Sequence, residues 1–290
     1  MKIIIFGTKF HKEIIKYTMD LVAALKKADV EILLEENFCH FLAGANCDTS
    51  FVSEIIKDDS FEADFAFVIG GDGTFVRSAA KIGKKNIPIL GINAGRLGFL
   101  ADVSGDEIFP AVEEILSGKY VIEERSLLRL YTDQKSYSDF NYALNEIAIL
   151  KQDTSSMITI HAWVNGTFLN SYQADGLLVA TSTGSTAYSM SVGGPILVPQ
   201  PSNFIIIPVA PHSLSVRPLI IPDDWEVELK VESRNNHFLI ALDGRNNVFH
   251  EKTKLKIQKA SFSTKIIKRE NQDFFSVLRS KLMWGSGSRK

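Results

Sequence analysis

The sequence predicts an open, mainly parallel α/β domain at the N-terminal end, followed by a β-rich domain, and three observations carry this. Five apolar residues, Phe65-Ala66-Phe67-Val68-Ile69, run into Gly70-Gly71-Asp72-Gly73-Thr74 and then into Phe75-Val76-Arg77-Ser78-Ala79-Ala80-Lys81. That order reads as a strand buried on both faces, a tight turn and the start of a helix. A second apolar run, Ile87 to Ile92, ends in a similar way, in Asn93-Ala94-Gly95-Arg96-Leu97-Gly98-Phe99-Leu100. From Val121 onward the runs become short, alternating or β-branched, and Asn165-Gly166 and Asp243-Gly244 supply hairpin turns.

Taken in order, Lys2 to Gly7 is a first strand. Glu13 to Ala28 places Ile14, Ile15, Met19, Val22, Ala23 and Leu25 at helical spacing. Val30 to Leu34 is a second strand, and Phe38 to Ser50, without a clear period, reads as a loop. Ile108 to Ser117 is a further helix. The β runs that follow are Arg125 to Tyr131, Tyr142 to Leu150, Ile158 to Val164, Leu177 to Thr181, Phe204 to Val209, Leu219 to Ile221, Val227 to Val231, Phe238 to Leu242 and Leu255 to Lys259. Phe274, Val277, Leu278 and Leu282 return to helical spacing. The expected boundaries are a nucleotide-binding domain over 1–120, a β-rich domain over 121–264, and a segment over 265–290. That last segment is a helix returning to the first domain, with a disordered Gly285-Ser286-Gly287-Ser288 tail.

Composition excludes several classes. The formal net charge is −2, without the basic field of a typical nucleic-acid binder. No apolar run approaches the roughly 20 residues of a membrane span, and Ile3-Ile4-Ile5-Phe6 is too short for a signal-peptide core. Cys39 and Cys47 fit neither a redox pair nor a zinc site and read as reduced thiols of a cytoplasmic protein. The P-loop pattern, the third glycine of the dehydrogenase fingerprint, a zinc-spaced His pair and a Gly-x-Ser-x-Gly elbow are all missing. What remains is phosphoryl transfer, which needs positioning, charge neutralisation and a base.

Three stretches could carry that chemistry. The turn at Gly70 to Thr74 lets backbone approach an anion, and the following helix would aim free N–H groups at a phosphate. Its carboxylate would repel phosphates unless it holds a cation or takes a proton; the plainer alternative is that Asp72 caps the helix. Ten of the fifteen residues from Thr181 to Pro195 are Thr, Ser or Gly, a dense supply of small donors next to Asp175-Gly176. Asn145-Glu146 interrupts an apolar strand, so one of the two faces the core as a structural pair or as the polar floor of a ligand site.

These pieces, in this order, resemble the NAD kinases, which make NADP from NAD and a nucleoside triphosphate. The glycine pentapeptide is shared with diacylglycerol and sphingoid-base kinases; Asn145-Glu146 and Thr183-Gly184-Ser185-Thr186-Ala187-Tyr188-Ser189 make the match specific. The resemblance implies the α/β plus β-rich fold, NAD bound between the domains, ATP as the donor, magnesium as the divalent cation, and a homodimer or homotetramer. It implies no direct protein ligand for the metal, and no nucleic-acid or membrane partner. Asp72 would be the general base on the ribose 2′-hydroxyl. Gly71, Gly73 and Phe99 would join the binding set, with Arg77 near the phosphates. Asn145, Glu146 and Asp175 would hold the nicotinamide side and its ribose. Thr186, Ala187, Tyr188, Ser189, Met190 and Ser191 would line the adenosine side, and Ala210 would touch NAD through its backbone. Gln173 and Arg245 belong to the same set, although Gln173 stands where many members have a basic residue and Arg245 where Gln or Asn is common. Two rivals are a lipid kinase of the same superfamily, which should show an apolar entrance or an interfacial basic patch, and a dinucleotide-binding regulator without turnover.

Overall fold

A computed structural model describes residues 1–9, 13–28, 30–95, 97–133, 140–153, 156–200, 202–270 and 273–284. Arg96 and the Gly285 to Ser288 tail lie outside the described residues. The chain divides into two compact units, one made of Met1–Glu124 with Thr264–Lys290 and the other of Arg125–Ser263.

In the first unit the elements are β1 (Lys2–Gly7), α1 (Ile14–Leu25), β2 (Glu31–Glu35), α2 (Glu36–Gly44), β3 (Glu54–Ile56), β4 (Phe65–Gly70), α3 (Asp72–Ile82), β5 (Ile89–Asn93), β6 (Val103–Ser104) and α4 (Ile108–Leu116). The strands lie parallel in the order β3-β2-β1-β4-β5. Ile3, Ile4 and Ile5 are all fully buried, as a sheet covered on both faces requires. Ile14, Leu21 and Leu25 of α1, Phe38 and Leu42 of α2, and Ala111, Val112 and Ile115 of α4 share one core with Ile3, Ile5, Phe67 and Ile69. The chain leaves β1 toward β2 but leaves β4 toward β5, so the strand order reverses between β1 and β4. The glycine turn sits at the carboxyl end of β4, on that switch point, where open α/β sheets hold ligands.

The loop expected over Phe38 to Ser50 is in part a helix. Phe38, Cys39 and Leu42 are buried at helical spacing, and the Glu35 side chain accepts the Phe38 N–H at 3.0 Å as an N-cap. Glu is an uncommon cap, and nine residues are too few to display a period clearly.

The second unit takes in most of β7 (Val121–Thr132), then β8 (Tyr142–Ala143), β9 (Glu146–Lys151), β10 (Ile158–Val164), β11 (Thr167–Ala174), β12 (Gly176–Thr181), a 3₁₀ turn at Thr183–Thr186, α5 (Tyr188–Ser191), β13 (Asn203–Val209), β14 (Leu219–Pro222), β15 (Val227–Glu232), β16 (His237–Leu242), β17 (Arg245–His250) and the first part of β18 (Leu255–Lys268). One antiparallel sheet has the order β14-β13-β12-β9-β16-β17, and β11-β10-β15 with the start of β18 forms another. Inward residues of both, such as Ile147, Ile149, Val179 and Phe238 from the first and Ile160, Leu229 and Ile257 from the second, form one core. The other face of the first sheet (Ala148, Leu178, Ala180, Ile205, Ile207) is covered by Val192 and Leu197, from the segment after α5.

Both predicted hairpin turns are present: Asn165 and Gly166 have φ 47° and 74°, and Asp243 and Gly244 have φ 48° and 80°. Successive positive φ angles favour this pair of residue types. Four strands escaped the sequence reading: the short β3 and β6 of the first unit, β11, whose exposure pattern does not alternate cleanly, and β17, rich in Arg and Asn. Strand β18 continues to Lys268, well past the expected Lys259, so Ile266 pairs beside Ile89 of β5 in the first unit. Helix α6 (Phe274–Leu282) lies where predicted, and the Asp273 side chain caps it through the Ser276 N–H at 3.0 Å.

Candidate functional site

In the first unit the site is built around Asp72, the first residue of α3. Gly71 precedes it in extended conformation as the N-cap. The backbone N–H groups of Leu100 and Ala101 donate to Asp72 Oδ1 at 2.9 and 3.1 Å, and that of Phe99 donates to Oδ2 at 2.9 Å. Lys281 Nζ, from α6, donates to Oδ2 at 2.9 Å. Burial raises the acid's pKa, but the Lys281 ammonium and the N–H groups of Phe99 and Ala101 outweigh it and hold the carboxyl below the usual range. Asp72 is therefore ionised throughout the physiological range. The helix-cap alternative does not describe it: the carboxylate reaches across to the loop after β5 rather than back onto its own helix.

That loop can approach only because residue 98 is glycine. A Cβ there would overlap Asp72 Oδ1 and Cγ. Asn93 braces the same loop, its Oδ1 accepting the Gly95 N–H at 2.6 Å and its Nδ2 donating to the Ala101 carbonyl at 3.3 Å. Gly73 and Arg77 are exposed at the start of α3, and Arg77 Nη2 donates to Thr74 Oγ1 at 3.2 Å. Phe99 is half-buried, with its ring 6.1 Å from that of Phe274 and 4.5 Å beneath the Lys281 ammonium. The structure thus brings Gly71, Asp72, Gly73, Arg77 and Phe99 together.

In the second unit Asn145 and Glu146 do not share a strand, contrary to the sequence expectation. Asn145 lies in the bend between β8 and β9, and Glu146 is the first residue of β9. The bend exists because Asp243, at the β16–β17 turn, accepts three successive N–H groups. Leu144 donates to its Oδ2 at 2.7 Å, and Asn145 and Glu146 donate to its Oδ1 at 2.8 and 3.1 Å. The Asn145 carbonyl accepts the Thr181 N–H at 2.9 Å, which ties the bend to the polar segment. Glu146 is 8% exposed. The Tyr188 backbone N–H bonds its carboxyl, and Oε2 has no partner among the described residues. Burial first, and the Asp243 charge second, push its acid up to about 8. Glu146 is thus mostly protonated at neutral pH and can donate as well as accept.

This predicts a pH effect. The unfolded Glu146 carboxyl loses its proton near 4.5 and the folded one near 8. Between the two, the folded chain binds more protons than the unfolded one, so stability falls as pH rises through that window. Glu146→Gln has no proton to lose. Its melting temperature relative to the unsubstituted protein should climb from about pH 5 to about pH 8 and then level off. A difference that stays flat over this range would show that Glu146 titrates as an ordinary surface carboxylate.

The remaining candidates fall on β11, on the β14-β13-β12-β9-β16-β17 sheet and its turns, and on the segment after β12. Ser189 is fully buried, and its hydroxyl has no partner among the described residues. Thr186 Oγ1 donates to the Thr183 carbonyl at 3.3 Å, and Ser191 Oγ to that of Tyr188 at 2.8 Å. Ala187 and Met190 are half-buried, and Tyr188 is exposed. Asp175 pairs with Lys151 at 2.6 Å, and its N–H donates to the Val209 carbonyl at 3.0 Å, next to Ala210. Ala210 holds φ 44°, a left-handed backbone that alanine rarely adopts. Gln173 is exposed on β11, and its carbonyl accepts the His212 N–H. The Arg245 guanidinium donates to the carbonyls of Leu242, Phe140 and Tyr142 and lies over the Phe140 ring. It serves as a brace of the hairpin, which explains why a basic residue fits where the resemblance leads one to expect Gln or Asn.

Lys281, Gly98 and Asp243 escaped the sequence reading as parts of a site. Asp243 is legible only as a turn residue and Gly98 only as part of the glycine segment after the Ile87 to Ile92 run, while nothing local marks Lys281.

Comparison with known proteins gives a consistent result. Residues 3–120 match the ATP-NAD kinase N-terminal domain and residues 144–269 the ATP-NAD kinase C-terminal domain. The chain is 50% identical over 289 residues to an NAD kinase of Bacteroides fragilis, covering 100% of both. It is 44% identical to an NAD kinase of Cytophaga hutchinsonii, covering 98% of each. Among solved structures it is similar to an NAD kinase from Archaeoglobus fulgidus in complex with ATP, with TM-score 0.77, 26% identity, and 97% and 99% of the two chains covered. It shares its fold with yeast NADH kinase complexed with NADH, with TM-score 0.89, 20% identity, and 100% and 89% covered.

Proposed function

The chain belongs to the NAD kinase family and transfers the γ-phosphoryl group of ATP to the adenosine-ribose 2′-hydroxyl of NAD, and we propose that Asp72 is the base in that transfer. The observation that supports this role is the placement of Asp72. It is an ionised carboxylate at the switch point of the sheet, at the N-terminus of α3, held by a loop that only glycine at residue 98 allows to approach. The hydroxyl oxygen forms a bond to the γ-phosphorus as the bond to the bridging oxygen breaks. ADP leaves with the electron pair, and the hydroxyl proton passes to Asp72. The free N–H groups at the start of α3 favour an anionic ligand there.

In this reading Asn145, Glu146 and Asp175 bind the nicotinamide side and its ribose, while Thr186 to Ser191 line the adenosine side. Ala210 offers its strained backbone. Magnesium enters with ATP. Magnesium is commonly held through substrate phosphates. Among the described residues no helix is long and apolar enough to cross a membrane; the matches to NAD kinase domains and relatives are what disfavour the lipid-kinase rival. The proposal extends to a cytoplasmic location and to a homo-oligomer; light scattering at assay concentration tests the latter. For the reaction itself, the test is a coupled assay with ATP, NAD and magnesium that reads NADP. Binding of both nucleotides without NADP formation would favour the regulator instead.

A further inference from the structure

Asp72 has a fourth partner that differs in kind from the other three. A carboxylate offers about four lone-pair positions. Three accept N–H groups of the 99–101 backbone, which is fixed by Asn93 and by the close approach at Gly98. The fourth accepts the ammonium of Lys281, at the far end of a flexible four-carbon stem. Lys281 is not a loose surface lysine. Helix α6 is seated through Phe274 against Phe99, with Leu278 buried, and the Lys281 ammonium lies over the Phe99 ring while bonding Asp72. Its side chain is 31% exposed and that of Asp72 is 28% exposed, so the pair can open to solvent.

A base must accept a hydrogen bond from the hydroxyl whose proton it takes. With four partners in place Asp72 has no position left, and only Lys281 can leave without dismantling the loop. We propose that Lys281 is the exchangeable partner of Asp72. It holds the carboxylate in position before NAD binds, and the ribose hydroxyl displaces it when NAD arrives. Lys281 is thus a positioning residue whose ion pair competes with the substrate for one lone pair. This rests on the reading of Asp72 as the base.

The test is calorimetric titration of the full-length protein with NAD. Removing the competitor by Lys281→Met should tighten NAD binding by about 2- to 5-fold, the range of a half-exposed ion pair. Lys281→Arg keeps the charge and should show no tightening. In an Asp72→Asn background the pair is already gone, so adding Lys281→Met should change nothing. Lys281→Gln replaces Met if melting shows that α6 has loosened. Unchanged or weaker NAD binding in the folded Lys281→Met protein would overturn the proposal, as would equal tightening in the Asp72→Asn background. The base assignment fails on a different readout, near-normal turnover of Asp72→Asn, so the two failures are distinguishable.

Discussion

Asp72→Asn should lower turnover by about 10²–10⁴-fold while leaving NAD binding measurable. Asparagine keeps the size of the side chain and can accept a hydrogen bond from a ribose hydroxyl, so affinity survives. It has no basicity for the proton. The structure adds a second consequence. Asp72 accepts from the N–H groups of Phe99, Leu100 and Ala101, and an amide has one oxygen and one NH₂. Whichever way it turns, at least one loop N–H faces a donor, which costs about 1–3 kcal/mol. The variant should therefore melt earlier as well as turn over slowly. Turnover at saturating ATP and NAD, set beside calorimetric NAD affinity and a melting curve, separates the effects. Turnover within a few-fold of normal in a folded variant would leave Asp72 as a clamp for the loop and nothing more.

Asp243→Ala should destabilise the protein by about 3 kcal/mol or more, read as a shift in the denaturant midpoint. The N–H groups of Leu144, Asn145 and Glu146 lose their acceptor together. The residue also sits at φ 48°, where alanine is disfavoured by roughly 1–2 kcal/mol and Asn or Asp is tolerated. Asp243→Asn should therefore recover part of the loss. One effect runs the other way, because removing the Asp243 charge lets Glu146 ionise more readily. Loss of NAD affinity should accompany Asp243→Ala, because the bend that presents Asn145 relaxes. A midpoint shift worth less than about 1 kcal/mol would mean that water replaces the carboxylate at all three N–H groups.

The strand–turn–helix at β4 and α3 was legible because its pattern is local: five apolar residues, three glycines, then a helical period. The hairpin turns were legible for the same reason. The partners of the site were not. Asp72 meets residues 27 to 29 positions later and a lysine 209 positions later, and Asp243 meets N–H groups nearly a hundred positions earlier. No spacing rule links such residues, since their encounter is set by strand order. In sequence Asn145-Glu146 reads as part of one interrupted strand, whereas the structure bends the chain between two strands and buries Glu146 alone. The missed helix α2 and strands β11 and β17 share a simpler cause: their buried positions are few, and their caps and turns are built from residues without strong local preference.

The first unit is closed by chain that is synthesised after the second unit. Its β5 edge receives Ile266, Asp102 is paired by Lys268, Glu114 and Glu107 are bonded by Arg269, and Asp72 by Lys281. All four come after residue 263, whereas Arg125–Ser263 is one uninterrupted stretch. On the ribosome the order of maturation therefore runs against the order of emergence. The first 124 residues appear early yet lack the Lys268 ammonium beside the buried Asp102 and the strand that pairs Ile89 of β5, both unfavourable in isolation. The middle of the chain can complete its sheets first. Nascent chains stalled before residue 264 should expose the first unit to proteases and chaperones while the second unit is already protected.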